Sequence, residues 1–258
     1  MSKLKETKGN QLQTAVMDFE ADAKKHGSDM NRDDLQLPIL RVLQDKSKAL
    51  KTVDGAKPGM LFNTVTEDLF DGAKGVTVIV CAYKREYLEW EPYSGESKAP
   101  VQTYSSSSDI LTKTKKDASN RDVLPNNNYI ATTMNYYVLV QDEKGFVSPA
   151  YLSMTGSALK KARRWNSVMM QVQLKKENGD TFNPPAFSQK YKLSTFLEEG
   201  KMGSYWNYDI SHIGSLSEKE ASLYSAAKAF RQSVMSGEVS VSNDEVSPNT
   251  NTEETVPF

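Results

Sequence analysis

Cysteine is nearly missing from this chain: Cys81 is the only one among 258 residues. No disulfide can form within the chain, and a cytoplasmic setting is expected, that of a host cell if the protein is viral. Histidine is almost as scarce. His26 and His212 stand far apart and, with a single cysteine, cannot build a typical structural zinc site. Long apolar runs are absent as well. No stretch approaches the roughly 18 consecutive apolar residues that a membrane-spanning helix needs. Residues 1–8 carry charges with no apolar segment behind them, so no secretory signal is expected.

Catalytic signatures are also lacking. There is no Gly-x-x-x-x-Gly-Lys phosphate loop, no Gly-x-Gly-x-x-Gly and no Gly-x-Ser-x-Gly. The acidic pairs Asp33-Asp34 and Glu198-Glu199 fall in a polar arm and in a turn, where they solvate the chain. The protein is therefore expected not to be an enzyme and to need no cofactor or metal. A metal-dependent nuclease assembled from scattered acids is the alternative, because such a site needs no local motif.

Charge is present but unevenly spread. From Glu238 onward there are five acids (Glu238, Asp244, Glu245, Glu253, Glu254) and no Lys or Arg. The rest holds 32 basic and 33 − 5 = 28 acidic residues, a body of about +4. A mildly basic body with an acidic tail suggests a polyanion site and a tail that competes for it. An ordinary solvated surface with a solubility tail explains the same balance.

At 38% hydrophobic and 25% charged, the chain supports a folded body with disordered parts. Residues 1–34 read as a mobile polar arm with a short helix, 35–237 as the folded domain, 94–128 as a flexible insertion loop, and 238–258 as a disordered acidic tail. Within the domain, Leu35 to Leu43 alternates like an edge strand with Pro38 near its entry. Val76 to Tyr83 is an apolar, branched run fit for a strand buried on both faces, and it continues to Trp90 with one wet face. Tyr129 to Val140 and Phe146 to Leu152 flank an Asp-Glu-Lys-Gly turn and form a hairpin. Ser157 to Lys176 reads as a helix, with Leu159, Ala162, Trp165, Met169 and Val172 on its apolar stripe. Ala186 to Leu197 and Ser204 to Ile213 make a second hairpin. A last helix starts at a Ser217/Glu220 capping box, buries Ala221, Tyr224, Ala227, Phe230 and Val234, and stops at Gly237. The fold class is mainly β with α additions: a small antiparallel barrel, a helix between hairpins and a C-terminal helix.

Bases and rings interleave along this body. They occur in Tyr83-Lys84-Arg85-Glu86-Tyr87-Leu88-Glu89-Trp90, in Lys160-Lys161-Ala162-Arg163-Arg164-Trp165, in Lys190-Tyr191-Lys192 and in Tyr205-Trp206-Asn207-Tyr208. A groove with cations along its length and rings on its floor holds unpaired bases and phosphates without reading sequence. The DNA-binding candidates are Lys84, Arg85, Tyr87, Trp90, Tyr137, Lys160, Lys161, Arg163, Arg164, Lys190, Lys192 and Trp206. Tyr87 and Trp90 are expected to be the exposed rings, because they sit where the strand leaves the core. Neighbouring rings on a strand point to opposite faces, so one of Tyr136 and Tyr137, and part of the Tyr205 to Tyr208 cluster, belongs to the core. Trp165 lies on the apolar stripe and reads as core, and the four helix cations read equally as a solvated face.

The final Glu253-Glu254-Thr255-Val256-Pro257-Phe258 resembles the tip of bacterial single-stranded-DNA-binding proteins, with Thr255 set between the acids and the apolar end. In that family the tip docks replication and repair enzymes. The resemblance implies partner contacts through Glu253, Glu254, Val256, Pro257 and Phe258. The whole chain more loosely resembles single-stranded-DNA-binding proteins of bacteriophage replication, through Leu37-Pro38-Ile39-Leu40-Arg41-Val42-Leu43-Gln44, Lys57-Pro58-Gly59 and Tyr87-Leu88-Glu89-Trp90. That likeness implies an OB-like (oligonucleotide-binding) barrel. It implies a protein that covers exposed single strands during replication or recombination and recruits other replication proteins through its tail. A virion or scaffold protein with a docking tail, and a strand-annealing recombination protein, are the alternatives. No membrane partner is expected, and self-association into a homo-oligomer is left open.

Overall fold

The computed structural model describes residues 35–92, 99–200, 203–239 and 241. The chain divides into a unit ending at Leu35 and one beginning at Gln36, and every element described belongs to the second. The arm expected over residues 1–34 and nearly all of the acidic tail lie outside the described residues.

Three short strands come first: β1 (Leu40–Val42), then, after a one-turn helix α1 (Ala49–Thr52), β2 (Leu61–Asn63) and β3 (Leu69–Phe70). They form an antiparallel sheet in the order β1-β2-β3. Pro38 has no N–H for a ladder, and the strand begins only after it. Its carbonyl instead accepts the Tyr151 amide at 2.7 Å.

The branched run expected as a strand is β4 (Val76–Trp90). Its register against the neighbouring strand shifts between Val80 and Ala82. Such a bulge reverses which residues face which side. Before it, Val76, Val78 and Val80 enter the main core; after it, Tyr83 and Arg85 lie opposite the core residues Tyr136 and Met134.

The segment expected as a flexible insertion carries structure of its own: β5 (Gln102–Ser105), a 3-10 turn, β6 (Lys115–Lys116) and β7 (Asp122–Val123). Glu89 on β4 anchors it. Its carboxylate accepts the Tyr104 hydroxyl at 2.5 Å, Asn128 Nδ2 at 2.6 Å and Asn126 Nδ2 at 3.4 Å. The Tyr104 bond above all holds Glu89 below the usual carboxylate range, and in return the Tyr104 phenol is pushed up to about 12.

The expected hairpin follows as β8 (Tyr129–Gln141) and β9 (Val147–Thr155). Next comes α2 (Leu159–Gln171), which begins two residues later than the sequence pattern suggests, after a 3-10 turn, and ends five residues earlier, at Gln171 and not Lys176. The missing stretch folds instead into a two-residue hairpin, β10 (Leu174–Lys175) and β11 (Thr181–Phe182), around Asn178 and Gly179. Strands β12 (Gln189–Gly200) and β13 (Gly203–Ser215) form the last hairpin, and α3 (Ala221–Ser236) closes the chain.

The five long strands stand in the order β9-β8-β4-β12-β13, all antiparallel, and the sheet curls into a half-barrel. Its inner face carries the largest core: Val78, Val80, Tyr136, Val138, Leu152, Tyr191, Leu193 and Tyr208, packed against Ala162 and Trp165 of α2 and against Leu40 and Leu61. α3 covers the other side, where Leu223 and Ala227 meet Ile79, Cys81 and Leu139. Burial pushes the Cys81 thiol up to about 12, so it is a packing residue and not a reactive one. No helix among the described residues is long and apolar enough to cross a membrane.

The Ser217/Glu220 capping box is present, and Gly237 ends α3 in the left-handed conformation (φ 82°). Tyr224, expected inside, is 37% exposed. Glu220 also accepts the Lys190 ammonium at 2.7 and 3.0 Å. Lys190 first, then the Ser217 amide and hydroxyl, lower the Glu220 carboxyl to about 2. A depressed carboxyl stabilises the fold fully above its unfolded value near ~4.3. That contribution fades as pH falls and is gone below about 2. Glu220→Gln should therefore cost about 1 kcal/mol at pH 7 and nothing at pH 2. Urea midpoints at the two pH values check this; an equal loss at both would show that the charge is irrelevant.

Candidate nucleic-acid interface

β4 is a central strand with an interrupted edge. It pairs with β12 only through Val76 to Ile79 and with β5 only through Glu86 to Glu89. Among the described residues no strand pairs with residues 80–85 on that side. The bulge carbonyl of Cys81 accepts Arg231 Nη1 at 3.1 Å, which fills one end of the gap. The other end opens into a cleft of about 470 Å³ lined by Tyr83, Lys84, Arg85, Glu86, Ser105 and Ser106.

Alternation sets what each residue offers. Tyr83 and Arg85 share one face and Lys84 points to the other. Tyr83 is 38% exposed, and its ring lies 5.2 Å from the buried Tyr136 ring. Tyr136 in turn stacks on Trp165 at 4.4 Å, and Trp165 meets Tyr191 edge-on at 5.6 Å. The Tyr136 hydroxyl donates to Asn166 Oδ1 at 2.9 Å, which ties this row of rings to α2. The Lys84 ammonium stands 5.4 Å from the Tyr137 ring centre, and the exposed Arg85 guanidinium 5.7 Å from that of Tyr87. Glu86 brings one negative charge to the cleft, but Asn135 Nδ2 donates to it at 2.7 Å.

Several nominated residues stand elsewhere. The rings expected to be exposed are not: Tyr87 is 6% and Trp90 4% exposed. Trp90 packs in a cluster with Leu37, Leu88 and Val234, and Tyr87 packs with Ile110 and Ile130. Tyr136 and Tyr137 are both buried, the second beside Tyr151 on the opposite face of the sheet. Burial then pushes the Tyr137 phenol up to about 12. None of these three nominated rings presents a free face. Trp206 is half-buried; its ring lies over Gly59, and its main chain is bracketed by the Gln44 amide, which donates to its carbonyl at 2.8 Å and accepts its N–H at 2.9 Å.

The nominated cations fall in three places. Lys84 and Arg85 reach the cleft. On α2, Lys161 pairs with Glu198 at 3.4 Å and lies 4.5 Å from the Phe196 ring centre, while Arg164 stands 3.8 Å from Asp209. Lys160 and Arg163 on the same helix are exposed and form no ion pair among the described residues. On β12, Lys190 is committed to Glu220 and Lys192 is exposed. The tail residues Glu253, Glu254, Val256, Pro257 and Phe258 lie outside the described residues. Tyr83, Ser105 and Ser106 were not nominated; the serines belong to a four-serine run that read only as loop. Among the described residues no three His, Cys, Asp or Glu side chains group as a metal site would require.

Residues 7–240 match the model of one protein family, described as Pam3 phage gp34-like protein. No curated protein and no solved structure matches the chain.

Proposed function

The chain belongs to the Pam3 phage gp34-like protein family of bacteriophage proteins, and on that premise we propose that it is a non-catalytic binder of single-stranded DNA. The observation that carries this reading is the path of the chain. A three-strand meander with its first strand central (β4, β8, β9), a helix (α2), and a hairpin returning to the first strand (β12, β13) follow one another in the order that an OB barrel would use, which supports the reading. The half-barrel stays partly open, as such barrels do. Support comes also from the body charge of 32 − 28 = +4 and from the cleft where a ring and two cations meet at an unpaired strand edge. In this reading the protein covers exposed strands during phage replication or recombination. In this reading the acidic tail recruits other replication proteins, because a short acidic leash presents one ring, that of Phe258, at little ordering cost.

A gel shift with a fluorescent single-stranded oligonucleotide, run against the matching duplex at 50 and 200 mM salt, tests it. The single strand should bind in preference to duplex, and salt should weaken binding by about 10-fold or more for a few phosphate contacts. No single-strand preference would favour a virion or scaffold role. Faster pairing of complementary strands would favour the annealing reading.

A further inference from the structure

We propose that the interrupted edge of β4 grips one nucleotide of the bound strand, the base on Tyr83 and its phosphate between Lys84 and Arg85. This inference rests on the single-strand reading and gives it a place. In OB barrels the oligonucleotide usually crosses the face of the second and third strands. Here the corresponding outer face of β8 and β9 is taken: Tyr137 and Tyr151 lie in a cluster with Leu37, Ile39 and Val234, and are 5% and 3% exposed. A strand has to bind elsewhere.

The cleft offers what that face has lost. Its volume, about 470 Å³, lies within the range of small-ligand sites, which suits one nucleotide rather than a folded partner. Tyr83 is backed on one side by Tyr136, itself stacked on Trp165, so its ring is held in place before any base arrives. Lys84 and Arg85 leave the strand on opposite faces, and both line the cleft beside that ring, within reach of a phosphate. The exposed Ser105 and Ser106 also line the cleft; the Ser105 hydroxyl shares a hydrogen bond with Ser107 Oγ at 2.9 Å, and Ser106 offers a hydroxyl to a phosphate oxygen. Two cations against Glu86 leave the cleft one charge positive.

An acidic peptide added as a strand is the competing occupant of an open edge. Arg231 already holds the Cys81 carbonyl, which shortens the edge a peptide would need. Ring, cations and hydroxyls dominate the part left open, and these favour a nucleotide.

The test uses the full chain and a fluorescein-labelled 20-mer of oligothymidine, read by anisotropy. Lys84→Gln with Arg85→Gln should weaken binding about 10-fold or more at low salt and lower the salt slope by roughly 0.7, the contribution of one single-strand phosphate. Tyr83→Ala should weaken it by roughly 5-fold or more, Tyr83→Phe should retain it, and Lys144→Ala, exposed in the turn beyond the Thr77 end of the sheet, should bind as the parent does. Photocrosslinking of the unaltered protein to an iodouracil-substituted oligonucleotide should place the adduct at Tyr83, with no variant involved. If the parent binds the single strand while these variants bind equally well and the crosslink maps elsewhere, the cleft is wrong and the single-strand reading stands. If the parent ignores single strands, both fall. If the variants lose only a labelled poly-glutamate peptide, the occupant is a peptide and the nucleotide assignment is overturned.

Discussion

Replacing Trp165 with alanine is expected to cost about 3–5 kcal/mol, a large part of the 5–15 kcal/mol that holds an ordinary domain together. Trp165 is 1% exposed at the centre of the half-barrel. It stacks on Tyr136 at 4.4 Å and takes Tyr191 against its edge at 5.6 Å. Among the described residues its indole Nε1 has no hydrogen-bond partner, so the loss is one of packing and cavity formation. The hole would not refill easily, because its walls belong to strands fixed by their ladders and to the helix that bears the residue. Trp165→Phe keeps one ring and should cost less. Met170→Ala, five residues on and 74% exposed, should fall within about 0.5 kcal/mol of the parent. Urea unfolding of the three variants checks the order, and a Trp165→Ala midpoint near that of Met170→Ala would contradict the packing described.

The second large effect is expected at Gly72. A methyl group there would lie 1.9 Å from the Gly59 carbonyl oxygen and 2.0 Å from Thr195 Oγ1. Both neighbours are fixed: the Thr195 hydroxyl donates to the Gly59 carbonyl, and the Thr195 amide donates to the Gly72 carbonyl at 2.8 Å. Two backbone segments and a strand residue meet with no room for a side chain, and neither wall is a flexible tip that can swing away. Gly72→Ala should destabilise by about 3 kcal/mol. Gly55→Ala, where nothing lies within 4 Å but φ is +77°, should cost only the ~1 kcal/mol of left-handed strain. Thermal unfolding of the pair separates crowding from backbone strain; equal melting points would mean that the crowded wall yields.

Much of this architecture can be read from the residues alone, and the failures have physical causes. The long strands were legible because branched and aromatic residues mark them, and the capping box and Gly237 because their chemistry is local. The end of α2 was not. Val172 continues a plausible helical stripe, but Asn178 and Gly179 turn the stretch that follows into a hairpin, and Asn183 Nδ2 donates to the Met170 and Val172 carbonyls where the helix stops. Tyr87 and Trp90 alternate as a half-wet strand should, yet β5 and the end of α3 cover them, and contacts so distant in sequence leave no periodic trace. The phase of Tyr83 was hidden for another reason. The bulge at Cys81 adds one residue to an unbroken apolar run, and alternation counted straight through it assigns the wrong face to all that follows. Lys190 was read correctly as a cation on a strand, but its partner Glu220 is 30 residues away and claims its charge for the fold.

β13 forms the rim of the sheet, and a bare rim is where a second molecule could stitch on and begin an aggregate. The Gln44 amide meets both main-chain groups of Trp206 there, imitating one rung of a ladder with a side chain. That rung is therefore closed to neighbouring copies, at the expense of a single glutamine.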